Sequence, residues 1–209
     1  MANAKKFYNF ARAADGEREL YIDGDIAASV WFGDECTPAA FRKELFAGKG
    51  NITLWVNSRG GDCIAASQIY TMLMDYPGEV TVKIDGMAAS AASVIAMAGT
   101  TVLMSPTALM LIHNPWTVAV GDKVEMERAG ILLDEVKESI INAYQIKTGL
   151  SREKLSVLMD NETPMNVHTA IALGFSDGIL SGGESPQATQ NKTTVESLQE
   201  RLNLITGGF

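Results

Sequence analysis

Apolar residues along this chain recur at two alternating spacings, one typical of strands and one typical of helices. The apolar run Asn51–Val56 stands ahead of a glycine pair, and Glu79–Ile84 alternates apolar with polar residues, so both are predicted to be strands. Between them, residues 62–75 carry apolar residues at helical spacing. Strands that alternate with helices in this way predict βαβ units built around a largely parallel sheet.

The same pattern predicts the remaining elements. Further strands are predicted at 7–14 and 19–26, around a turn at Asp15-Gly16, and at 101–104 and 108–112. Further helices are predicted at 41–46, 88–98 and 122–147, from Ser151 onward, and at 169–173 before Gly174. The helix at 122–147 carries more apolar residues than one sheet face covers. Part of it is therefore expected to pack against another subunit.

The composition changes after Leu180. The segment SGGESPQATQNKTT has no apolar periodicity and is typical of a linker. Beyond it, apolar residues mark one face of a short amphipathic helix, at Val195, Leu198, Leu202 and Ile205. We expect a folded body over residues 1–180 and a tethered tail over 181–209, which docks on a neighbouring subunit or is removed by self-cleavage.

Charge and cysteine content exclude several classes of protein. The 209 residues carry a formal net charge of -8, which opposes binding to nucleic acid because phosphate contacts need lysine and arginine. The two cysteines have no CxxC spacing, which fits a reducing cytoplasm and neither a disulfide framework nor a zinc site. No apolar run has the length of a signal peptide or a membrane span. We expect a cytoplasmic protein with no membrane partner, no metal and no cofactor.

Ser90 is a candidate nucleophile. It ends the stretch Gly86-Met-Ala-Ala-Ser90, which follows a predicted strand and opens a predicted helix. Free backbone N–H groups at a helix start stabilise an oxyanion, and the small neighbours let a substrate backbone come close. The alternative is that Ser90 is an ordinary N-cap of an alanine-rich helix.

His113 is a candidate general base for Ser90. It follows the predicted strand 108–112, just as Ser90 follows the strand at 79–84. Sites in parallel α/β sheets form at the carboxyl ends of strands, so the two side chains are expected to face one crevice. Alternatively, His113 is a turn residue bonded to backbone. His168 lies at a predicted helix start and is interpreted as structural.

Gly60 and Gly61 form a third feature, since they follow the buried strand 51–56. Glycine permits a close approach of backbone and unusual dihedral angles, so N–H groups here are candidates for half of an oxyanion hole. The alternative is an ordinary strand-to-helix turn.

Taken together, these motifs resemble the Clp protease proteolytic subunit family. The resemblance covers about residues 18–180 and is carried by Asn57–Gly61, Gly86–Ser90, Ile112–Pro115, Thr148–Ser151 and Ala172–Ile179. Three further stretches look most like the phage and prophage branch, whose members are often prohead proteases: Trp31–Asp34, Asn114–Trp116 and Glu162–Met165.

The resemblance implies a fold, an assembly and a set of roles. The fold is an α/β spiral of βαβ units, shared with crotonases, with a handle formed by a strand and a long helix. The assembly is a homo-oligomeric ring with active sites facing an internal chamber, which takes proteins or peptides as substrates. The implied roles are nucleophile for Ser90, base for His113, and oxyanion hole for the backbone N–H groups of Gly61 and Ala91.

The third member of the implied triad is a carboxylate. The family's aspartate lies twelve residues before the glycine that corresponds to Gly174, a position that Glu162 occupies here. Asp160 is its nearby competitor, whereas Asp177 is interpreted as a turn cap. The chain also departs from the family at Arg59, where proline is usual, and we recognise no loop that contacts an ATPase partner.

Other classes of function stay open from the sequence. A crotonase-type acyl-CoA enzyme shares the spiral but needs no Ser–His pair. A membrane signal-peptide peptidase relative would use a Ser–Lys dyad and an anchor, and an inactive ring-forming scaffold would keep the motifs without activity. Within the peptidase interpretation, the partner is either an ATP-driven unfoldase or a set of phage capsid and scaffold proteins.

Overall fold

The computed structural model describes residues 6–13, 16–26 and 38–180 of the chain. Four features singled out in the sequence lie outside these ranges. They are the turn residue Asp15, Cys36, the Trp31–Asp34 motif and the tail 181–209.

Strands and helices alternate along the described chain. The strands are β1 (Tyr8–Arg12), β2 (Arg18–Ile26), β3 (Ile52–Gly61), β4 (Val80–Ala89), β5 (Thr101–Met104), β6 (Leu109–Ile112), β7 (Thr163–Met165) and β8 (Gly178–Ile179). The helices are α1 (Pro38–Leu45), α2 (Cys63–Met74), α3 (Ala91–Ala96), α4 (Lys123–Thr148), α5 (Arg152–Asp160) and α6 (Val167–Ala172).

The strands form one mixed sheet in the order β1-β2-β3-β4-β5-β8. Most neighbours are parallel, while β1 pairs antiparallel with β2 and β7 pairs antiparallel with β6. The strand β4 pairs with two partners on one edge, first β5 through Thr81–Ile84 and then β6 through Met87–Ala89. This mixed α/β fold, with its largely parallel sheet, is the fold class that the sequence predicted.

Two predicted boundaries were wrong at the ends of the central strands. The strand β4 runs on through Ala88 and Ala89, and helix α3 covers only Ala91–Ala96 instead of 88–98. Alanine favours helices, but here the ladder with β6 satisfies the backbone of these residues in an extended form, and tertiary pairing overrides the propensity. Strand β3 likewise continues through the glycine pair that the sequence suggested was a turn.

The core lies between the sheet and helices α1, α2 and α3. Along β3 and β4, buried residues alternate with partly covered ones, so one face of each strand points into this core. Helix α3 is buried along its whole length and packs on both central strands. A tightly covered helix start therefore stands at the carboxyl end of β4.

Helix α4 behaves differently because only its last third is buried. Its buried residues are Ile140, Ile141, Ala143 and Tyr144. Nearer its start, Ile131 and Leu132 are 64% and 61% exposed. The predicted apolar excess is therefore uncovered within the single chain. Among the described residues, no helix is both long enough and apolar enough to cross a membrane.

Asp177 ties three elements together at the far end of the sheet. One of its carboxylate oxygens accepts hydrogen bonds from the N–H of Val102 in β5, at 2.6 Å, and from Lys147 Nζ at the end of α4, at 2.7 Å. The Lys147 side chain is only 12% exposed, whereas that of Asp177 is 44% exposed, so the shielded partner of the pair is the lysine. The sequence interpreted Asp177 as a turn cap, and its observed partners are likewise structural.

We predict that Asp177→Ala lowers the free energy of unfolding by about 1–3 kcal/mol, because it leaves the Val102 N–H and the Lys147 ammonium without their acceptor. Asp177→Asn keeps an acceptor for Val102 and should lose less. Urea denaturation measures both values, and Asp75→Ala, at an exposed site, is the control. Equal stability of all three variants and the wild type would contradict the assigned role.

Candidate functional site

The predicted site residues lie where the carboxyl ends of β3, β4 and β6 meet. Strand β4 ends at Ala89, immediately before Ser90, and its partner β6 ends at Ile112, immediately before His113. The parallel register pairs Ala89 with Leu111, and the Ser90 N–H donates to the Leu111 carbonyl at 2.9 Å. Strand pairing thus fixes the backbones that carry Ser90 and His113 at one edge of the sheet.

Ser90 has a strained backbone, with φ 55° and ψ -127°. It stands at the N-cap position of α3, yet its side chain makes no capping hydrogen bond. An ordinary serine N-cap has an extended backbone and bonds the helix through its hydroxyl, so the N-cap alternative does not describe this residue. Positive φ in a residue other than glycine persists only where the surrounding structure enforces it.

Gly60 lies directly against this serine. A Cβ atom added to Gly60 would lie 2.7 Å from Ser90 Cβ and 3.0 Å from the backbone nitrogen of Ala91. Gly60 also has φ 102°, which side chains rarely adopt. The glycine is therefore required both by its backbone angle and by the close approach to the peptide unit that follows Ser90.

Gly61 is just as confined on its other side. A Cβ there would lie 2.0 Å from the carbonyl oxygen of Ile26, at the end of β2. Its φ is 144°, and the next residue, Asp62, donates its N–H to the same carbonyl at 2.9 Å. The end of β2 thus holds Gly61 in place beside Gly60.

A buried serine holds the glycine segment in the absence of the family's usual proline. Ser58 Oγ donates to the Gly24 carbonyl at 2.5 Å and accepts the Gly60 N–H at 3.1 Å. Ser58 is 3% exposed, whereas the Arg59 side chain is 82% exposed and lies 3.9 Å from Asp25. The departure at Arg59 therefore does not leave the segment unsupported, a point that sequence reasoning missed.

Glu162 lies opposite His113 in the sheet register. The antiparallel pair of β6 and β7 matches Ile112 with Thr163, so one step further along both strands reaches His113 and Glu162. Glu162 follows the C-cap residue of α5 and has φ 45°. Glycine or asparagine is usual at such a left-handed position, so a glutamate there is held at a conformational cost.

Asp160 has partners of its own. Its carboxylate accepts hydrogen bonds from Lys137 Nζ at 2.6 Å and Asn114 Nδ2 at 2.8 Å, and Ser156 Oγ lies at 3.4 Å. The bond from Lys137, followed by that from Asn114, holds the pKa of Asp160 below its usual value. Asp160 therefore ties α4 and the residue after His113 to the end of α5.

The side chains of the predicted triad are not joined in this structure. Within the described ranges, no hydrogen bond links any two of Ser90, His113 and Glu162. Their backbones are brought to one place, and catalytic hydrogen bonds are commonly loose until substrate binds.

His168 is the exposed second residue of α6, a helix whose start is capped by Asn166, so it lies at a helix start as predicted.

Sequence reasoning also missed two buried hydroxyls beside the site. Ser93, in α3, donates through Oγ to the Ser90 carbonyl at 2.6 Å and lies 2.8 Å from Tyr144 Oη in α4. One signal was available, because Ser93 is a polar residue within a run of small apolar ones. Tyr144, by contrast, was interpreted only as part of an apolar helix face.

Solvent-exposed apolar residues follow His113 along the chain. Trp116, Val118 and Val120 are 75%, 80% and 90% exposed, at every second position. An alternating apolar stripe on an extended segment needs a partner to cover it.

In the described ranges, no three histidine, cysteine or acidic residues cluster closely enough to hold a metal ion.

Comparison with known proteins identifies the family of the chain. The model of the Clp protease family matches residues 15–183. The chain is similar to the ATP-dependent Clp protease proteolytic subunits of two bacteria. The one from Leuconostoc citreum (strain KM20) is 31% identical over 191 residues, covering 88% of this chain and 94% of the relative. The one from Ligilactobacillus salivarius (strain UCC118) is 28% identical over 175 residues, covering 81% and 89%.

A subunit of the same description from Mesostigma viride is 30% identical over 132 residues, covering 62% of this chain and 58% of that protein. The matched range includes the glycine segment, the Ser90 junction, His113 and Glu162. The chain belongs to the Clp protease family.

Proposed function

We propose that the protein is a serine endopeptidase in which Ser90 is the nucleophile, His113 the general base and Glu162 the residue that orients His113. One observation carries the proposal. Among the described residues, Ser90 and Glu162 are the two residues other than glycine with positive φ. Backbone strain persists where function requires a side chain in a set place, and here it occurs at two of the three proposed positions.

In the proposed mechanism, each of the three groups has one role. His113 takes the Ser90 hydroxyl proton as the oxygen attacks the scissile carbonyl, and the imidazolium then gives that proton to the leaving amine. The carboxylate of Glu162 holds the tautomer of His113 and stabilises its positive charge. Water then hydrolyses the acyl-enzyme by the same route, with His113 again acting as base.

The proposed oxyanion hole consists of two backbone N–H groups. Ala91 is the first residue of α3, where the N–H has no partner within the helix, and the dipole of the helix favours negative charge nearby. Gly61 would supply the second donor, and Gly60 brings its segment against the Ala91 nitrogen. Each such donor typically contributes about 3–4 kcal/mol to the stability of the transition state.

We further propose that the active protein is a homo-oligomeric ring that encloses its sites. Support comes from the exposed apolar residues of α4 and of the segment after His113, since large apolar patches on a surface usually mark an interface. Substrates would be proteins or peptides. The relatives' names include the word ATP-dependent, which supports an ATP-driven unfoldase as partner.

The phage-like stretches Asn114–Trp116 and Glu162–Met165 support a second source of substrate, phage capsid and scaffold proteins. Both proposals use the same hydrolytic chemistry. They differ in whether hydrolysis of folded protein needs an added ATPase.

The first prediction from the proposed function concerns the nucleophile. Ser90→Ala should lower peptidase turnover by about 10⁴-fold or more and abolish labelling by a fluorophosphonate probe. Ser67→Ala is the matched control, since Ser67 is similarly exposed and its hydroxyl only bonds the Cys63 carbonyl in α2. Near-normal turnover in purified Ser90→Ala would exclude Ser90 as nucleophile.

The same position allows a test of the strain. Ser90→Gly should be as inactive as Ser90→Ala, yet more stable than the wild type by about 1 kcal/mol. Relief of a strained backbone is worth about 1–3 kcal/mol, and the flexibility of glycine in the unfolded chain offsets part of it. Thermal or urea unfolding measures the difference.

The second prediction separates the two neighbouring carboxylates. Glu162→Gln should lower turnover by about 10⁴-fold, as loss of the orienting carboxylate does in other triads. Asp160→Asn should stay within about tenfold of the wild type, because Asp160 bonds Lys137 and Asn114. The reverse order of effects would make Asp160 the third member, and two small effects would leave a Ser–His dyad.

The third prediction concerns assembly. Light scattering at micromolar concentration should give a mass of several chains, and Ile131→Asp should shift it towards the monomer by placing a charge in an apolar interface. Ser139→Asp is the control, since it adds the same charge at an exposed polar position of the same helix. A monomeric wild type would rule out the ring.

A further inference from the structure

A buried chain of hydrogen bonds joins helix α4 to the backbone of Ser90. Tyr144 Oη lies 2.8 Å from Ser93 Oγ, and Ser93 Oγ donates to the Ser90 carbonyl at 2.6 Å. Ser93 is fully buried and Tyr144 is 1% exposed, so no solvent competes for these bonds. Polar groups buried this deeply raise the question of what they do there.

The direction of the bonds follows from proton counting. Ser93 has one hydroxyl proton, and it goes to the Ser90 carbonyl, which only accepts. Tyr144 must then donate its own proton to Ser93 Oγ. Burial raises the pKa of Tyr144, so the phenol keeps that proton at any physiological pH.

The chain of bonds exceeds what burial of the Ser90 carbonyl requires. That carbonyl already accepts the backbone N–H of Ser93 at 2.9 Å. One hydrogen bond is enough to satisfy a buried carbonyl, and an alanine at position 93 would leave it satisfied. The second donor, with a tyrosine behind it, therefore adds control over orientation.

The orientation in question is that of the peptide unit between Ser90 and Ala91. A trans peptide is planar, with its C=O and N–H pointing in opposite directions, so a bond that fixes the Ser90 carbonyl also fixes the aim of the Ala91 N–H. The ψ of Ser90 sets the same orientation, and its value of -127° goes with the strained positive φ. Hydrogen bonds to the carbonyl also polarise the N–H and strengthen it as a donor.

We propose that Ser93 and Tyr144 are positioning residues that aim the Ala91 N–H at the oxyanion formed during peptide hydrolysis. The inference rests on the proposed function, since it needs Ala91 to be an oxyanion donor. It extends the site to α4, because Tyr144 lies in the buried third of that helix, where its ring packs edge-on against Phe175 at 5.4 Å.

Ser93→Ala and Tyr144→Phe test the inference in the full chain, with a fluorogenic peptide as substrate. Ser93→Ala should lower kcat by about tenfold to a hundredfold with KM within about twofold, since the donor is misdirected but not removed. Tyr144→Phe should lower kcat by about threefold to tenfold, because Ser93 keeps its own bond. The double variant should be no worse than Ser93→Ala, since Tyr144 acts through Ser93.

The chain offers a matched control for each change. Ser176 is 3% exposed and donates to the carbonyls of Val102 and Gly178, so Ser176→Ala removes an equally buried hydroxyl away from the site. Tyr70 has a buried hydroxyl without a hydrogen-bond partner among the described residues, so Tyr70→Phe removes a phenol that bonds nothing. Both should keep kcat within about twofold of the wild type.

A peptide boronate inhibitor supplies a readout that a merely structural role would not change. It binds a catalytic serine as a tetrahedral anion, so its affinity reports on the oxyanion hole. In Ser93→Ala, its affinity should fall by the same factor as kcat/KM. An unchanged affinity with a lower kcat would show that stabilisation of the tetrahedral anion is intact and would overturn the inference.

The outcomes separate this inference from the proposed function. A wild type that neither hydrolyses peptides nor reacts with a fluorophosphonate would overturn both. An active wild type with a folded Ser93→Ala variant of equal kcat would overturn the inference alone. If Ser93→Ala fails to fold because it strands the Tyr144 hydroxyl, the double variant has no stranded group and decides the matter, together with Tyr144→Phe.

Discussion

Two stretches of backbone meet at the carboxyl ends of β3 and β4 with no room for a side chain between them. Gly60 lies against Ser90 and the Ala91 nitrogen, and Gly61 lies against the Ile26 carbonyl. The proposed nucleophile and the proposed oxyanion hole both depend on this contact. Ser90 and the two proposed oxyanion donors come from the two segments that it joins, so their spacing is a property of the main chain.

Because the main chain sets these positions, most side chains around the contact serve to hold the backbone in place. Ser58 holds the glycine segment from beneath, and Ser93 holds the peptide unit after Ser90. Asp160 joins Asn114, the residue after His113, to α4 through Lys137. Each of these polar groups bonds backbone or a neighbour of a proposed catalytic residue.

How far the sequence could predict this site depended on how local each signal was. Ser90 and His113 could be predicted as candidates because each comes shortly after an apolar strand, and parallel strands end at a common edge. Glu162 came only from its spacing within a family motif, with Asp160 as a nearby competitor and Asp177 interpreted as a turn cap. The partners of the other two acids lie far away in sequence, 23 residues for Asp160 to Lys137 and 75 for Asp177 to Val102. The bond between Ser93 and Tyr144, 51 residues apart, left no local pattern either.

The divided edge of β4 also has a consequence for how the protein would lose activity. One strand is shared by β5 along its first half and by β6 along its second, and the second half leads directly into Ser90. The spacing between Ser90 and His113 is thus set by hydrogen bonds of the central ladder, which opens only when the whole domain opens. A site held in this way does not unfold separately from the rest of the domain. On heating, activity should be lost at the temperature at which the sheet unfolds. Little activity should be lost at lower temperatures through local motion of loops.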